Sequence, residues 1–167
     1  MGYAVLHIDK ARSNDSGNTA HIARTYTPSN VDPSRTRLNR ELVQFPANVT
    51  NRSEAIEHRI ATAGIYRKVA KNQVKALRFI LSSSPEDMAR IEQEGLLYEW
   101  CDESMDWLRS TFGADNVVAA TLHADEDTPH IHATVVPIVT GERRKAKEEA
   151  ENGKRKYKTK KNKVRLC

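Results

Sequence analysis

Two β-rich runs near the end of the chain, Val117–His123 and His130–Ile138, are separated by the hexapeptide Ala-Asp-Glu-Asp-Thr-Pro. A turn-rich link between two such runs predicts an antiparallel hairpin with a long loop. On a strand, residues i and i+2 share a face, so His130 and His132 project together while Ile131 points the other way, into a core. His123 closes the preceding strand and can face the same pair across the hairpin. Three imidazoles converging on one point make a facial metal site with open positions, which a catalytic metal needs so that substrate or water can reach it. Glu126 is placed to add a carboxylate ligand or to orient a histidine. A lone histidine on a strand is most often a packed or surface residue, and Asp125-Glu126-Asp127 alone most often a solvated loop. Three histidines within ten residues point to chemistry instead.

The rest of the chain supplies a scaffold for that hairpin. Tyr3–Ile8 reads as a strand, and a short helix is expected around Asn18–Tyr26. Thr27–Asn51 contains Pro28, Pro33 and Pro46 and no firm period, which is long for a loop without a function. Ser53 is a plausible N-cap, and Ile56, Ile60 and Ile65 give a helical stripe to about Ala70. Val74–Leu81 reads as a strand. Ser84-Pro85 starts a helix that runs to Gly95, with Glu86 and Asp87 in its first turn. A second helix spans Tyr98–Phe112 and stops at Gly113. The order β-α-α-β-α-α-β-β predicts an α+β domain with a mainly antiparallel sheet and helices packed on it. His7, His58 and Cys101 read as structural residues, and Tyr98, Trp100 and Trp107 as packing residues before base-stacking ones.

Charge divides the chain. The 167 residues carry 27 Lys and Arg against 22 Asp and Glu, a net +5. Residues 141–167 hold 12 basic and 4 acidic groups, and residues 1–140 hold 15 and 18. The body is therefore mildly acidic, and a broadly basic nucleic-acid-binding surface is not its signature. No run approaches the roughly 18 apolar residues of a membrane span. The start lacks the pattern of a signal peptide, and two cysteines make no disulfide framework, so the expected compartment is the cytoplasm.

The string His123-Ala-Asp-Glu-Asp-Thr-Pro-His-Ile-His132 closely resembles the third motif of the MobV (Mob/Pre) plasmid mobilisation relaxases, members of the HUH endonuclease superfamily. His21-Ile-Ala-Arg24 is similar to that family's first motif, His-x-x-Arg. Asp32-Pro-Ser-Arg-Thr-Arg-Leu-Asn39 is similar to its second, Asn/Asp-Pro-Ser-Arg followed by Leu-Asn. The resemblance covers residues 3–140. It implies an HUH relaxase-like, ferredoxin/RRM-like core over 1–140. Residues 141–167 are expected to be a basic tail, extended or helical, that begins a missing C-terminal part.

The resemblance also implies an activity. A relaxase nicks one DNA strand at an origin of transfer, holds the 5′ phosphate as a covalent adduct and rejoins the ends, which initiates conjugative mobilisation and plasmid recombination. By this resemblance His123, His130 and His132 hold a divalent metal. Imidazoles suit Mn²⁺ better than Mg²⁺, so Mn²⁺ is expected first and Mg²⁺ second. His21 is the expected nucleophile, with Tyr26 as its rival. Arg24, one helical turn on, is expected to share the face of His21 and grip the phosphate. Arg35, Arg37 and Arg40 are candidate contacts to DNA phosphates. The expected partners are origin DNA, single-stranded or supercoiled, and the conjugation coupling machinery. Three alternatives stay open: another HUH nuclease such as a rolling-circle initiator or transposase, a truncated DNA-binding fragment without turnover, and an unrelated metal hydrolase.

Overall fold

The computed structural model describes residues 2–11, 16–149 and 155–167. Its elements run β1 (Ala4–Ala11), α1 (Ser16–Ile22), β2 (Arg40–Glu41), α2 (Arg52–Thr62), β3 (Ala76–Ser83), α3 (Pro85–Gln93), α4 (Leu97–Phe112), β4 (Val117–His123), β5 (His130–Val135), β6 (Ile138–Glu149) and β7 (Arg155–Leu166). A 3₁₀ turn at Thr36–Leu38 precedes β2. The fold is α+β, as expected. Five strands form one sheet in the order β1-β3-β5-β4-β2, and β6 and β7 form a separate two-stranded sheet. Every pairing between these strands is antiparallel.

Local chemistry explains most boundaries. Ser84 caps α3 by accepting from the Asp87 N–H, with Pro85 at the first helical position. Gly113, at φ 91°, stops α4 in a conformation that only glycine adopts without strain. Two expectations are corrected. The helix expected over Ser53–Ala70 is capped two residues earlier, by Asn51, and ends at Thr62. Gly64 follows in the left-handed region, so the stripe reaching Ile65 continues as irregular chain. The proline-rich stretch 27–51 is not merely a loop, because Arg40 and Glu41 pair with Leu122 and Thr121 and make the sheet's edge.

The hairpin pairs as its pattern predicts, with His123 opposite His130 and Thr121 opposite His132. Period-two alternation then gives the sheet two unlike faces. One face presents Phe79, Leu81, Ala120, Leu122, Ile131, Ala133 and Val135 to Cys101, Met105 and Leu108 of α4. The other carries the histidines at one end. At its opposite end Ala76, Val118 and Val136 pack against Ala55 and Ile56 of α2. Residues 141–167, expected as a basic tail, extended or helical, contribute extended strand to β6 and β7. The end of β7 packs on the body: Leu166 is buried in the α2 cluster and the Cys167 N–H donates to the Pro137 carbonyl. Among the described residues no helix is long and apolar enough to cross a membrane.

Leu108 is fully buried beneath the sheet. Truncating it to Ala should cost about 2–5 kcal/mol, read as a lowered denaturant midpoint, because the cavity cannot fully collapse. A cost under about 1 kcal/mol would mean that α4 does not pack on this face as described.

Candidate functional site

The first-motif segment does not form the helix face expected of it. α1 ends at Ile22, and Arg24 lies beyond it at φ 52°. The Thr25 N–H donates to the Ala20 carbonyl and the Arg24 N–H to the His21 carbonyl. This is a Schellman stop, with arginine where glycine usually sits. A side chain in the left-handed region costs about 1 kcal/mol or more, so its presence needs a compensating interaction. The guanidinium supplies it. Arg24 donates through Nε and Nη2 to the two oxygens of Asp125, at 3.1 and 2.7 Å, and through Nη2 to Glu126 Oε1 at 2.6 Å. Its Nη1 reaches the His21 carbonyl at 3.1 Å. Sequence reasoning placed Arg24 beside His21 to bind a phosphate. In the structure it is 9% exposed and bound to the chain's own carboxylates, because the left-handed turn swings it inward.

Asp125 is the residue the sequence reading missed. Its carboxylate accepts from Arg24, from Thr36 Oγ1 at 3.1 Å and from Asn39 Nδ2 at 2.7 Å, and it has no exposed side-chain surface. Asn39 also accepts from the Ala124 N–H, and the Asp125 carbonyl accepts from the Asp32 N–H. Burial opposes ionisation, but the donors from Arg24, Asn39 and Thr36 outweigh it, and the carboxyl is held well below the usual carboxylate range. All three motifs meet at this one carboxylate. The available signal was Asn39, a polar residue closing the second motif with no local partner.

Around this hub the imidazoles gather. His130 Nε2 and His132 Nε2 lie 3.1 Å apart. His130 Nδ1 is 2.9 Å from the Thr128 carbonyl, which fixes the proton there and leaves the Nε2 lone pair facing His132. His123 is fully buried, between the Ile22 carbonyl at Nε2 and Arg24 Nη2 at Nδ1, each at 3.0 Å. Arginine only donates, so Nδ1 accepts and Nε2 carries the proton. Glu126 Oε1 stands 3.6 Å from His123 Nδ1 and 3.9 Å from both His130 Nε2 and His21 Nε2. Its other oxygen accepts from Asn30 Nδ2 at 2.9 Å. The donors form two overlapping groups within 4.8 Å, His21 with His123 and His132, and His123 with Glu126 and His130. The expected triad is therefore joined by His21 and Glu126. The 3.1 Å spacing and the imidazole-rich donor set fit a first-row divalent cation.

Burial is the main cause that holds His123 and His132 neutral, pushing them from 6.5 down to about 4 and about 2; neighbouring imidazoles add to both, and Arg52 to His132. An open cleft of about 450 Å³ leads to the cluster and is lined by His21, Asn30, Glu126, His130 and His132. Tyr26 is 53% exposed, with its ring centroid 6.4 Å from that of His21. Arg35 donates to Glu92 at 3.0 Å, Arg40 stacks over the Tyr98 ring at 3.9 Å, and Arg37 is exposed. Arg35 and Arg40 thus tie the second-motif segment to α3 and α4.

Comparison with known proteins points to one family. The family model for plasmid recombination enzymes matches residues 1–165. The plasmid recombination enzyme type 3 of Staphylococcus aureus is 32% identical over 162 residues, covering 92% of this chain and 38% of that protein. The plasmid recombination enzyme of Streptococcus agalactiae is 23% identical over 145 residues, covering 84% of this chain and 29% of that one. The chain thus spans well under half the length of these relatives. Among solved structures, the Mn-bound relaxase domain of MobM with a 22-nucleotide plasmid pMV158 origin DNA superposes at a TM-score of 0.71. It shares 25% identity, over 92% of this chain and 74% of that one.

Two outcomes follow from this geometry. Asp125→Ala leaves Glu126 as the one carboxylate on the buried Arg24 guanidinium and removes the acceptor of Thr36 and Asn39, so it should lower stability by about 1–3 kcal/mol in chemical denaturation. Acid should also destabilise the metal-free protein. His123 and His132 titrate lower folded than unfolded, so the unfolded chain takes up protons first. Their contribution is complete above pH 6.5 and is lost as the pH falls to about 4 and beyond. In chelator, Tm should drop across that window; a flat profile would mean that the imidazoles are not held neutral.

Proposed function

The chain belongs to the Mob_Pre family of plasmid recombination enzymes, and on that premise we propose that it carries the catalytic body of a DNA relaxase. It would cut one strand at a specific site in an origin of transfer, keep the 5′ phosphate on the protein, and rejoin the ends. The observation that carries this reading is the convergence of His21 and Glu126 on the His123, His130 and His132 cluster, at the end of an open cleft. The proposal extends to its setting: the cytoplasm as the compartment, and the conjugation coupling machinery as a later partner.

His130 and His132, aided by His123 and Glu126, would hold the divalent cation. Binding through His123 would exchange the Arg24 hydrogen bond at Nδ1 for the ion. Mn²⁺ suits these imidazoles better than Mg²⁺, and the Mn-bound relaxase domain supports the same choice. When bound, the ion supplies a Lewis acid for a non-bridging oxygen of the scissile phosphate. The chain's own groups do the rest. One nitrogen of His21 forms a bond to phosphorus as the bond from phosphorus to the 3′ oxygen breaks. The 3′ oxygen leaves with a proton taken from water, and His21 gives up the proton of its other nitrogen. Glu126, 3.9 Å from His21 Nε2, can receive it through one water. Arg24 acts by orienting Glu126 and His123, not as a phosphate clamp. His21 is favoured over Tyr26 because it belongs to the donor cluster and lines the cleft.

For DNA contact, the exposed Arg37 is the strongest of the three arginines, since Arg35 and Arg40 have partners within the fold. The mildly acidic body makes phosphate contacts few and local rather than spread over a basic surface.

With Mn²⁺, the protein should nick a labelled oligonucleotide carrying its origin and leave an adduct. Chelation of the metal or His21→Ala should abolish the adduct, and acid should cleave it, because the P–N bond of a phosphohistidine is acid-labile. An acid-stable adduct would transfer the role to Tyr26, and binding without cutting would reduce the chain to a DNA-binding module.

A further inference from the structure

We propose that Arg52 is a positioning residue for the histidine cluster: its buried guanidinium bridges β4 and β5 and sets the place of His132. The inference rests on His130 and His132 being cation ligands. Arg52 is the first residue of α2 and is 4% exposed. It donates through Nη1 to Thr134 Oγ1 at 2.6 Å and through Nη2 to Thr121 Oγ1 at 3.1 Å. These two hydroxyls flank His132. Thr121 is its cross-strand partner, and Thr134 is two residues along the same strand on the same face. Thr121 Oγ1 lies 3.0 Å from both oxygens of Glu41 on the edge strand β2, so it donates to the carboxylate while accepting from Arg52. Arg52 and His132 also line one pocket of about 160 Å³ on that face.

Register explains why a fork is needed there. The β4–β5 ladder is irregular between Val117 and Ala119, directly below the histidine pairs. A slip of one residue between β4 and β5 would put His123 on one face and His130 and His132 on the other. One planar guanidinium holding a hydroxyl on each strand pins the pairing on the functional side of that irregularity. A lysine ammonium cannot span both hydroxyls with the same fixed geometry. Burying a guanidinium is costly, and an apolar side chain of similar volume is often neutral or stabilising in its place.

The test is Mn²⁺ affinity, read from the free-ion electron paramagnetic resonance signal, on the full chain. Arg52→Lys should weaken Mn²⁺ binding by about tenfold to a hundredfold, the range for residues that orient metal ligands, and Thr134→Val should weaken it by about tenfold. Met105→Ala, on the far side of the sheet, should lower Tm and leave the affinity unchanged. In metal-free protein, the imidazole ¹⁵N shifts of His132 should move in Arg52→Lys and stay put in Met105→Ala. Wild-type affinity in both Arg52→Lys and Thr134→Val would overturn the inference, as would an equal loss in Met105→Ala, which marks general loosening. His130→Ala separates the premise: if it binds Mn²⁺ as the wild type does, the metal reading fails and the inference falls with it.

Discussion

The structure depends on one buried ion pair. Arg24 and Asp125 are 101 residues apart in the chain and share two hydrogen bonds in a site almost closed to water. Arg24 ends the first motif, Asp125 sits inside the third, and Asn39 and Thr36 bring the second onto the same carboxylate. Neither charge could be buried alone, since an unpaired ion in a low-dielectric interior costs several kcal/mol. Together they bind α1, the segment before β2 and the hairpin loop into one rigid support. Glu126, next in sequence, inherits its place from this pair, and His123 takes its tautomer from it.

The pair also explains a local cost. Arg24 occupies a left-handed position where glycine would be easier. Glycine would end α1 equally well but would leave Asp125 without its cation. The backbone strain and the side-chain interaction therefore belong together, and they sit at the candidate site rather than in the core.

The sheet divides its work by face. α4 covers an apolar face whose large side chains carry stability, while the opposite face is shared by the α2 cluster and the histidines. Arg52 stands at the boundary between those two regions. This division allows a polar, partly open cluster to persist in a small domain, because the packing that holds the sheet lies behind it. It also gives the charge imbalance its meaning. The acidic groups near the site are internal partners of arginine and imidazole, so they account for part of the body's acidic count without presenting free charge to solvent.

What the sequence determined by itself was everything set by local period and spacing. The β-rich runs Val117–His123 and His130–Ile138, with the turn-rich link between them, set the hairpin, whose second strand ends at Val135, and the i, i+2 spacing set the shared face of His130 and His132. Ser84-Pro85 and Gly113 fixed helix ends through their own backbone chemistry. The three motifs named the residues that would meet. Tertiary structure alone decided how they meet. Asp125 reads as one acid in a solvated acidic loop until Arg24, Thr36 and Asn39 surround it. Arg24 reads as a helix-face arginine until a left-handed turn points it inward. Arg35 and Arg40 read as free cations until Glu92 and Tyr98 occupy them. In each case the partner lies dozens of residues away, and burial changes what a charge can do. A one-dimensional pattern records which groups are present, whereas their ionisation, tautomer and availability depend on neighbours that only the folded chain brings near.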